Sequence, residues 1–276
     1  MSGQGGGRVN NIMTAKQTID ITNKGYYEKD GEKIMLPALD YDYVKVISPS
    51  DGESILEDDV TKYYRAEMCT FSVTNEDSFR AARRYEKPLV LNFANAHSAG
   101  GAFLLGANAQ EEALCRCSTL YESIRSAAAS EMYIYNNTHL SAVESDYMLL
   151  SPEVCVFRDE NCELLDVPFI VSVMTAPAPN RRGAALFASQ KKITETFMRR
   201  MRIIMSTAAA ERYRTLILGA WGCGAFGNPP EDVSECFYNV LVNEEYGRCF
   251  DSVCFAVYGA DDGANITAFR RRFSDL

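Results

Sequence analysis

The sequence predicts an α/β protein with one sheet lying between helical layers. Three observations carry this reading. Short apolar runs suited to buried strands, among them Leu89–Leu91 with Phe93 and Leu216–Leu218, alternate with longer segments of helical periodicity. Both of these runs feed glycine-rich loops that lead into helix starts, which is how an open α/β sheet presents a crevice at its strand ends. No stretch of linker composition interrupts the alternation, so the 276 residues read as one large domain over 10–276, preceded by a glycine-rich tail at 1–9.

Composition narrows the function. Hydrophobic residues make up 47% of the chain and charged residues 24%, the balance of a globular protein with a sizeable core. A net charge of -9 provides no global positive field to recruit a polyanion, which argues against direct DNA binding. A phosphate ligand must then be held by local backbone N–H groups. The nine cysteines follow no repeating spacing, and with two histidines in the chain no metal-site pattern is found. No signal peptide and no run of eighteen apolar residues is present, so the expectation is a reduced, cytoplasmic protein with no membrane partner and no metal or other cofactor.

Taken in order, Ile12, Ala15, Ile19 and Ile21 predict a helix over 10–23 leading into a strand, and Asp30-Gly31 predicts a hairpin turn within 25–36. A short strand over 41–48 precedes an acidic loop at 49–59. A strand at 69–74 runs into a helix carrying Phe79, Ala82 and Tyr85, with Asp77 or Asn75 as its N-cap. The helix after residue 110 is expected to continue to about Met132, followed by a loop rich in tyrosine and asparagine through Asn137. Strands follow at 154–157 and 169–174, the second ending in the proline-containing segment 175–180. A long helix over 189–212 with Ile193, Phe197, Ile203 and Ile204 on one face should pack across the sheet. The chain closes with a strand at 253–258 and a helix whose Arg270–Arg272 run suits a helix C-terminus.

Two stretches carry the chemistry. In the first, the strand ending at Phe93 is followed by Asn95, then Gly100, Gly101 and Ala102, then Gln110, Glu111 and Glu112 opening a helix marked by Leu114, Cys117, Leu120 and Tyr121. Glycines let backbone approach a ligand closely, whereas acidic residues at a helix start also serve the dipole alone. In the second, Gly219-Ala220-Trp221-Gly222-Cys223-Gly224-Ala225-Phe226-Gly227-Asn228 joins a buried strand to a helix start at Pro229-Pro230. Successive N–H groups in such a loop form an anion nest, by which an acidic protein can hold a diphosphate; a tight turn needing glycine for geometry alone is the competing reading.

The first stretch resembles the signature of the bacterial-type poly(ADP-ribose) glycohydrolases of the macrodomain superfamily. That signature has a strand ending in Phe-Ala-Asn, three glycines, six to eight residues and Gln-Glu-Glu. The match here is Phe93-Ala94-Asn95, Gly100-Gly101-Ala102, seven intervening residues and Gln110-Glu111-Glu112, with alanine in place of the third glycine. The second loop has the family's Gly-x-Gly-x-Phe-Gly form, and the segment before residue 40 resembles its N-terminal extension. The resemblance implies a three-layer α/β/α sandwich with a central mixed sheet. It also implies a poly(ADP-ribose) or ADP-ribosylated protein substrate and ADP-ribose as product.

It further implies the roles. Glu112 protonates the leaving hydroxyl and then activates water, while Glu111 and Asn95 hold ribose hydroxyls. Gly100, Gly101, Ala102 and Gln110 line the approach, and Gly222, Cys223, Gly224, Ala225, Phe226 and Gly227 contact the nucleotide. Adjacent glutamates cannot act as two flanking carboxylates, because side chains at i and i+1 of a helix diverge. A reader module that binds ADP-ribose without turnover, and a hydrolase of another ADP-ribosyl linkage, are the alternatives to the glycohydrolase.

Overall fold

Leu89 and Leu91 face one side of their strand and Val90 the other, and the two sides belong to different cores. The computed structural model describes residues 3–276, with side chains described from Asn10 onward. Among the described residues the strands are β1 (Tyr26–Lys29), β2 (Glu32–Met35), β3 (Lys45–Ile47), β4 (Thr70–Thr74), β5 (Leu89–Ala94), β6 (Met148–Arg158), β7 (Leu164–Pro177), β8 (Thr215–Leu218) and β9 (Ser252–Ala256). The helices are α1 (Gly3–Lys24), α2 (Pro49–Glu57), α3 (Ser78–Ala82), α4 (Gln110–Cys117), α5 (Leu120–Ile124), α6 (Ser130–Thr138), α7 (Gln190–Ala210), α8 (Pro230–Tyr238) and α9 (Ala264–Phe273).

Strands β3 to β9 form one mixed sheet in the order β3-β6-β7-β5-β8-β9-β4. The block β7-β5-β8-β9-β4 is parallel, while β3 and β6 pair antiparallel at the other side. One core joins Leu89, Leu91 and Leu216 to Phe197 and Met201 of α7, Phe237 of α8 and Phe269 of α9. The opposite core joins Val90, Val173 and Ile217 to Phe79, Leu114, Leu120 and Met132 of α3 to α6. The result is the three-layer α/β/α sandwich with a mixed sheet that the family resemblance implies.

The N-terminal segment packs on this sandwich. Asp30 and Gly31 both take positive φ and close the β1–β2 hairpin as expected. The Thr18 hydroxyl donates to the Arg116 carbonyl (2.7 Å), and the Tyr27 hydroxyl donates to the Leu165 carbonyl (2.6 Å). Helix α1 begins at Gly3 and so includes glycines that composition alone assigns to a tail. The tail reading at Met1 and Ser2 lies outside the described residues.

Two loop expectations are corrected. The segment expected as an acidic loop at 49–59 is helix α2. Its start is a capping box in which Ser48 Oγ accepts from the Asp51 N–H while the Asp51 carboxylate accepts from the Ser48 N–H. The helix expected to run unbroken to Met132 stops at Ser118, which bridges to Val156. The expected loop over Tyr133–Asn137 is part of α6, where the Asn136 side chain returns to the Met132 carbonyl and Met132 and Tyr133 are buried. Strand β6 also begins earlier than the apolar pattern suggested, because Met148–Leu150 pair with β3, and Leu149 and Leu150 pair with β7 as well. The Asp77 N-cap is found as expected, its carboxylate accepting from the Phe79 and Arg80 N–H groups.

Candidate active site

The parallel block directs the C-terminal ends of β4, β5, β7, β8 and β9 to one edge of the sheet, and the loops leaving them surround a cleft of about 930 Å³. Its wall takes Glu76, Asp77 and Phe79 from the β4–α3 junction, Phe93 from β5, Ala178 from the loop after β7, and Val257 and Tyr258 from the end of β9. Glu112 and Gln110 project from the start of α4, and Gly222, Gly224, Ala225 and Phe226 come from the loop after β8. The start of α4 and the loop after β8 thus share one cleft, whereas Gly100, Gly101 and Ala102, expected along the ligand's approach, are not on its wall because their backbone turns in toward the Glu111 and Glu112 carboxylates. Sequence reasoning missed Tyr258 and Asn265, which also lie on the wall. Their only signal was position just beyond a strand end or at a helix start, and that becomes informative once the strand order is known.

The two glutamates are built into different surroundings. Glu112 Oε1 accepts from the Ala102 N–H (3.0 Å), and Oε2 accepts from the Ala109 N–H (3.1 Å) as the return half of a capping arrangement. The side chain is thereby locked between the glycine loop and the helix start while still reaching the cleft wall. Glu111 points behind the loop. Its Oε2 accepts from the Asn95 N–H (2.8 Å) and its Oε1 from the Asn92 amide (3.4 Å), and the residue is 3% exposed. Burial pushes its carboxyl up to about 8, repulsion from Glu112 adds to this, and the Asn95, Asn92 and Gly100 hydrogen bonds oppose it.

Gly100 and Gly101 have φ of +68° and +55°. A Cβ at Gly101 would lie 2.5 Å from Glu112 Oε1 and 3.2 Å from Glu111 Oε2, so only glycine leaves room for both carboxylates. Ala102 has φ of -102°, a conformation open to any L-residue, and its N–H still serves Glu112. The third signature position therefore carries no requirement for glycine here.

Gln110 lies on the cleft wall, but both ends of its amide are engaged: Oε1 accepts from the Phe93 N–H (2.9 Å), and Nε2 donates to the Leu91 carbonyl (2.8 Å) and the Ser78 hydroxyl (3.1 Å). It pins α4 to the edge of β5. Asn95 Oδ1 accepts from the His97 and Ser98 N–H groups and shapes the turn that starts the glycine loop. Asn95 and Glu111 are not on the cleft wall.

Across the cleft, Trp221 is fully buried and donates from Nε1 to the Ala176 carbonyl (3.0 Å). Asn228 donates to the Pro179 and Gly222 carbonyls and closes the loop on itself. These anchors leave Gly224 and Ala225 exposed at the cleft. Cys223 and Gly227 belong to the loop but not to the wall: Cys223 packs on the core, and Gly227 lies under the Arg182 side chain.

This arrangement matches a known family. Residues 15–159 match the model of the microbial-type PARG catalytic domain. The chain belongs to that family. Among curated proteins none matches by sequence. Among solved structures, the poly(ADP-ribose) glycohydrolase of Thermomonospora curvata is 33% identical, with a TM-score of 0.87 over 96% of this chain and 99% of that one. The same enzyme bound to the inhibitor ADP-HPD aligns with a TM-score of 0.84 at 32% identity, again over 96% of this chain and 99% of that one. The Deinococcus radiodurans glycohydrolase in complex with ADP-ribose is 36% identical, with a TM-score of 0.81 over 88% of this chain and all of that one. The family model spans the glycine–glutamate stretch of this PARG-family chain.

Proposed function

We propose that this PARG-family enzyme cleaves the ribose–ribose bond of poly(ADP-ribose) in the cleft between the two loops, with Glu112 as the general acid and base. The observation that carries the assignment is that Glu112, and not Glu111, reaches the cleft wall with both carboxylate oxygens fixed by backbone N–H groups. Glycosidic cleavage passes through an oxocarbenium-like state. Glu112 gives its proton to the departing ribose hydroxyl, then takes a proton from the water that attacks the anomeric carbon. Burial raises the Glu111 carboxyl to about 8, which favours its neutral form beside the polyanionic substrate. Glu111 acts from behind by holding the Asn95 turn in place.

Gly224, Ala225 and Phe226 take the ADP-ribose unit: the exposed loop N–H groups face the diphosphate and the Phe226 ring covers a sugar or the base. Glu76 or Asp77, at the far end of the wall, meets the adenine side. Gln110 and Asn95 support the site through backbone contacts. Residues 10–276 act as one catalytic domain, since the Thr18 hydrogen bond ties α1 to the very helix that begins with the glutamates. ADP-ribosylated protein is the natural carrier of such a polymer, and ADP-ribose is the product.

The test is incubation with automodified poly(ADP-ribose). Free ADP-ribose is expected from the wild-type protein and none from Glu112→Ala, with both binding ADP-ribose in calorimetry. Failure of the wild-type protein to bind ADP-ribose at millimolar ligand would sink the assignment. Binding without release by the wild-type protein would make it a reader.

A further inference from the structure

The same cleft holds two cysteines for which the proposed cleavage chemistry has no use. Cys117, the last residue of α4, and Cys162, at the tip of the β6–β7 hairpin, both line it, and both are bonded to the Asp159 carbonyl, Cys162 through its N–H (2.9 Å). The hairpin tip is tightly fixed. Asp159 Oδ1 accepts from the Asn161 N–H (2.9 Å) and the Glu163 N–H (2.8 Å), and Cys162 is held at φ of +65°. Cys117 Sγ donates to the Asp159 carbonyl at 3.2 Å.

Two cations face this pair. The Arg116 charge acts on the Cys162 thiol while its Nη1 donates to the Ala107 carbonyl (2.6 Å) and its Nη2 to the Asn108 side chain. Arg158 donates from Nη1 to the Cys162 carbonyl (2.8 Å), and its buried Nε has no hydrogen-bond partner among the described residues. The acids acting on the pair are Asp77 on Cys117 and Glu163 on Arg158.

The neighbouring Cys117 thiol, and after it the charges of Arg116 and Arg158, hold the Cys162 thiol below the usual thiol range against the opposing effect of burial. Burial without such cations pushes the Cys69 and Cys223 thiols up to about 12. Thiolate character and access set cysteine reactivity.

We propose that Cys117 and Cys162 form a peroxide-reactive dithiol pair that closes to a disulfide between the catalytic helix and the β6–β7 hairpin. The Cys162 thiolate attacks hydrogen peroxide: the O–O bond breaks, an S–O bond forms, and hydroxide leaves with the sulfur oxidised by two electrons. Cys117 then loses its proton and attacks the sulfenic sulfur. The S–S bond forms, the S–O bond breaks, and the departing hydroxide takes a proton to become water. A dithiol reductant reverses the step. Arg116 links the pair to the site, because the same guanidinium holds the Ala107–Asn108 segment that precedes Gln110, Glu111 and Glu112.

The experiment treats the full-length protein at neutral pH with a small excess of hydrogen peroxide, blocks remaining thiols and maps peptides by mass spectrometry. The expected result is a cross-link joining the Cys117 and Cys162 peptides, with loss of two hydrogens, removed by dithiothreitol. In the untreated protein Cys162 should be alkylated about tenfold faster than Cys69 or Cys223 at pH 7. Cys117→Ala should leave a sulfenic acid at Cys162 that dimedone captures. A cross-link through any other cysteine, Cys162 oxidised only to sulfinic acid in the wild-type protein, or alkylation of Cys162 no faster than of Cys69 would overturn the proposal. The readout is covalent, so it is independent of turnover.

Discussion

The two glycine loops at the cleft are alike in sequence and opposite in construction. In the loop before α4 the missing side chains face the protein: the space next to Gly101 is filled by the carboxylates of Glu112 and Glu111, and that next to Gly100 by the Tyr121 ring. In the loop after β8, Gly222 and Gly227 pack against Asn228 and Arg182, yet Gly224 faces open space with nothing within 4 Å of where a Cβ would stand. The first loop is therefore a mould for the two glutamates, and the second is a frame with an open gap at the cleft. Glycine at a functional site has two physical meanings, and only the neighbours say which applies.

The largest effect that separates them is expected from Gly101→Ala. The added methyl meets Glu112 Oε1 and sits on backbone at positive φ, so it must displace the Glu112 carboxylate and also strain the loop. A loss of turnover of about 10²-fold or more is expected, approaching the 10²- to 10⁴-fold typical of removing a general acid, with about 1–3 kcal/mol lost from stability. Rates of ADP-ribose release together with a denaturant melt measure both. Normal turnover in this variant would mean that Glu112 has another productive position and that the mould is not needed.

Gly224→Ala probes the other side. Neither backbone conformation nor any neighbour opposes the methyl, so the melting curve should be unchanged. If the gap belongs to the ligand, ADP-ribose affinity should fall by about tenfold, or about 1.4 kcal/mol. Unaltered affinity in calorimetry would remove this loop from the binding surface.

A third expectation concerns pH. The Glu111 carboxyl is raised from 4.5 to about 8 by burial, so between those values the folded protein keeps a proton that the unfolded chain releases. Unfolding is then favoured as pH rises, and the stability contributed by Glu111 is complete below about 4.5, falls through the window and is gone above about 8. Thermal melts of wild type and Glu111→Gln across this range should converge at low pH, with the wild type losing more stability at high pH. Parallel curves would show that Glu111 is ionised in the folded state.

The smallest effect is expected at Ala102. Its φ of -102° needs no glycine, so Ala102→Gly relieves no strain. The added chain entropy should cost about 0.5–1 kcal/mol, with ADP-ribose affinity unchanged or slightly weaker. A tenfold gain in affinity would show that the methyl obstructs the ligand after all.

Much of the fold was legible because its signals are local. The capping carboxylate of Asp77, the Asp30-Gly31 turn and the alternating Leu89, Val90 and Leu91 each declare themselves within a few residues. The corrected segments failed for local reasons too. The Ser48–Asp51 capping box was present in the sequence but hidden by the acidic run after it, and α6 is rich in tyrosine and asparagine, residues that favour helix only when packing or side-chain returns secure them.

By itself the sequence determined the mixed α/β class, the strand–glycine–glutamate order and the pairing of Glu111 with Glu112, because these are patterns of neighbours along the chain. Tertiary structure decided which glutamate faces the cleft. Residues one apart on a helix point in different directions, and only the packing of α4 against β5, set by the Gln110 hydrogen bonds, fixes which direction is the cleft. It also decided that Tyr258 and Asn265 share a wall with Glu112, which no spacing records. The parallel order β5-β8-β9-β4 gathers strand ends from distant parts of the chain onto one edge, and sheet order is a property of contacts between strands rather than of any one of them.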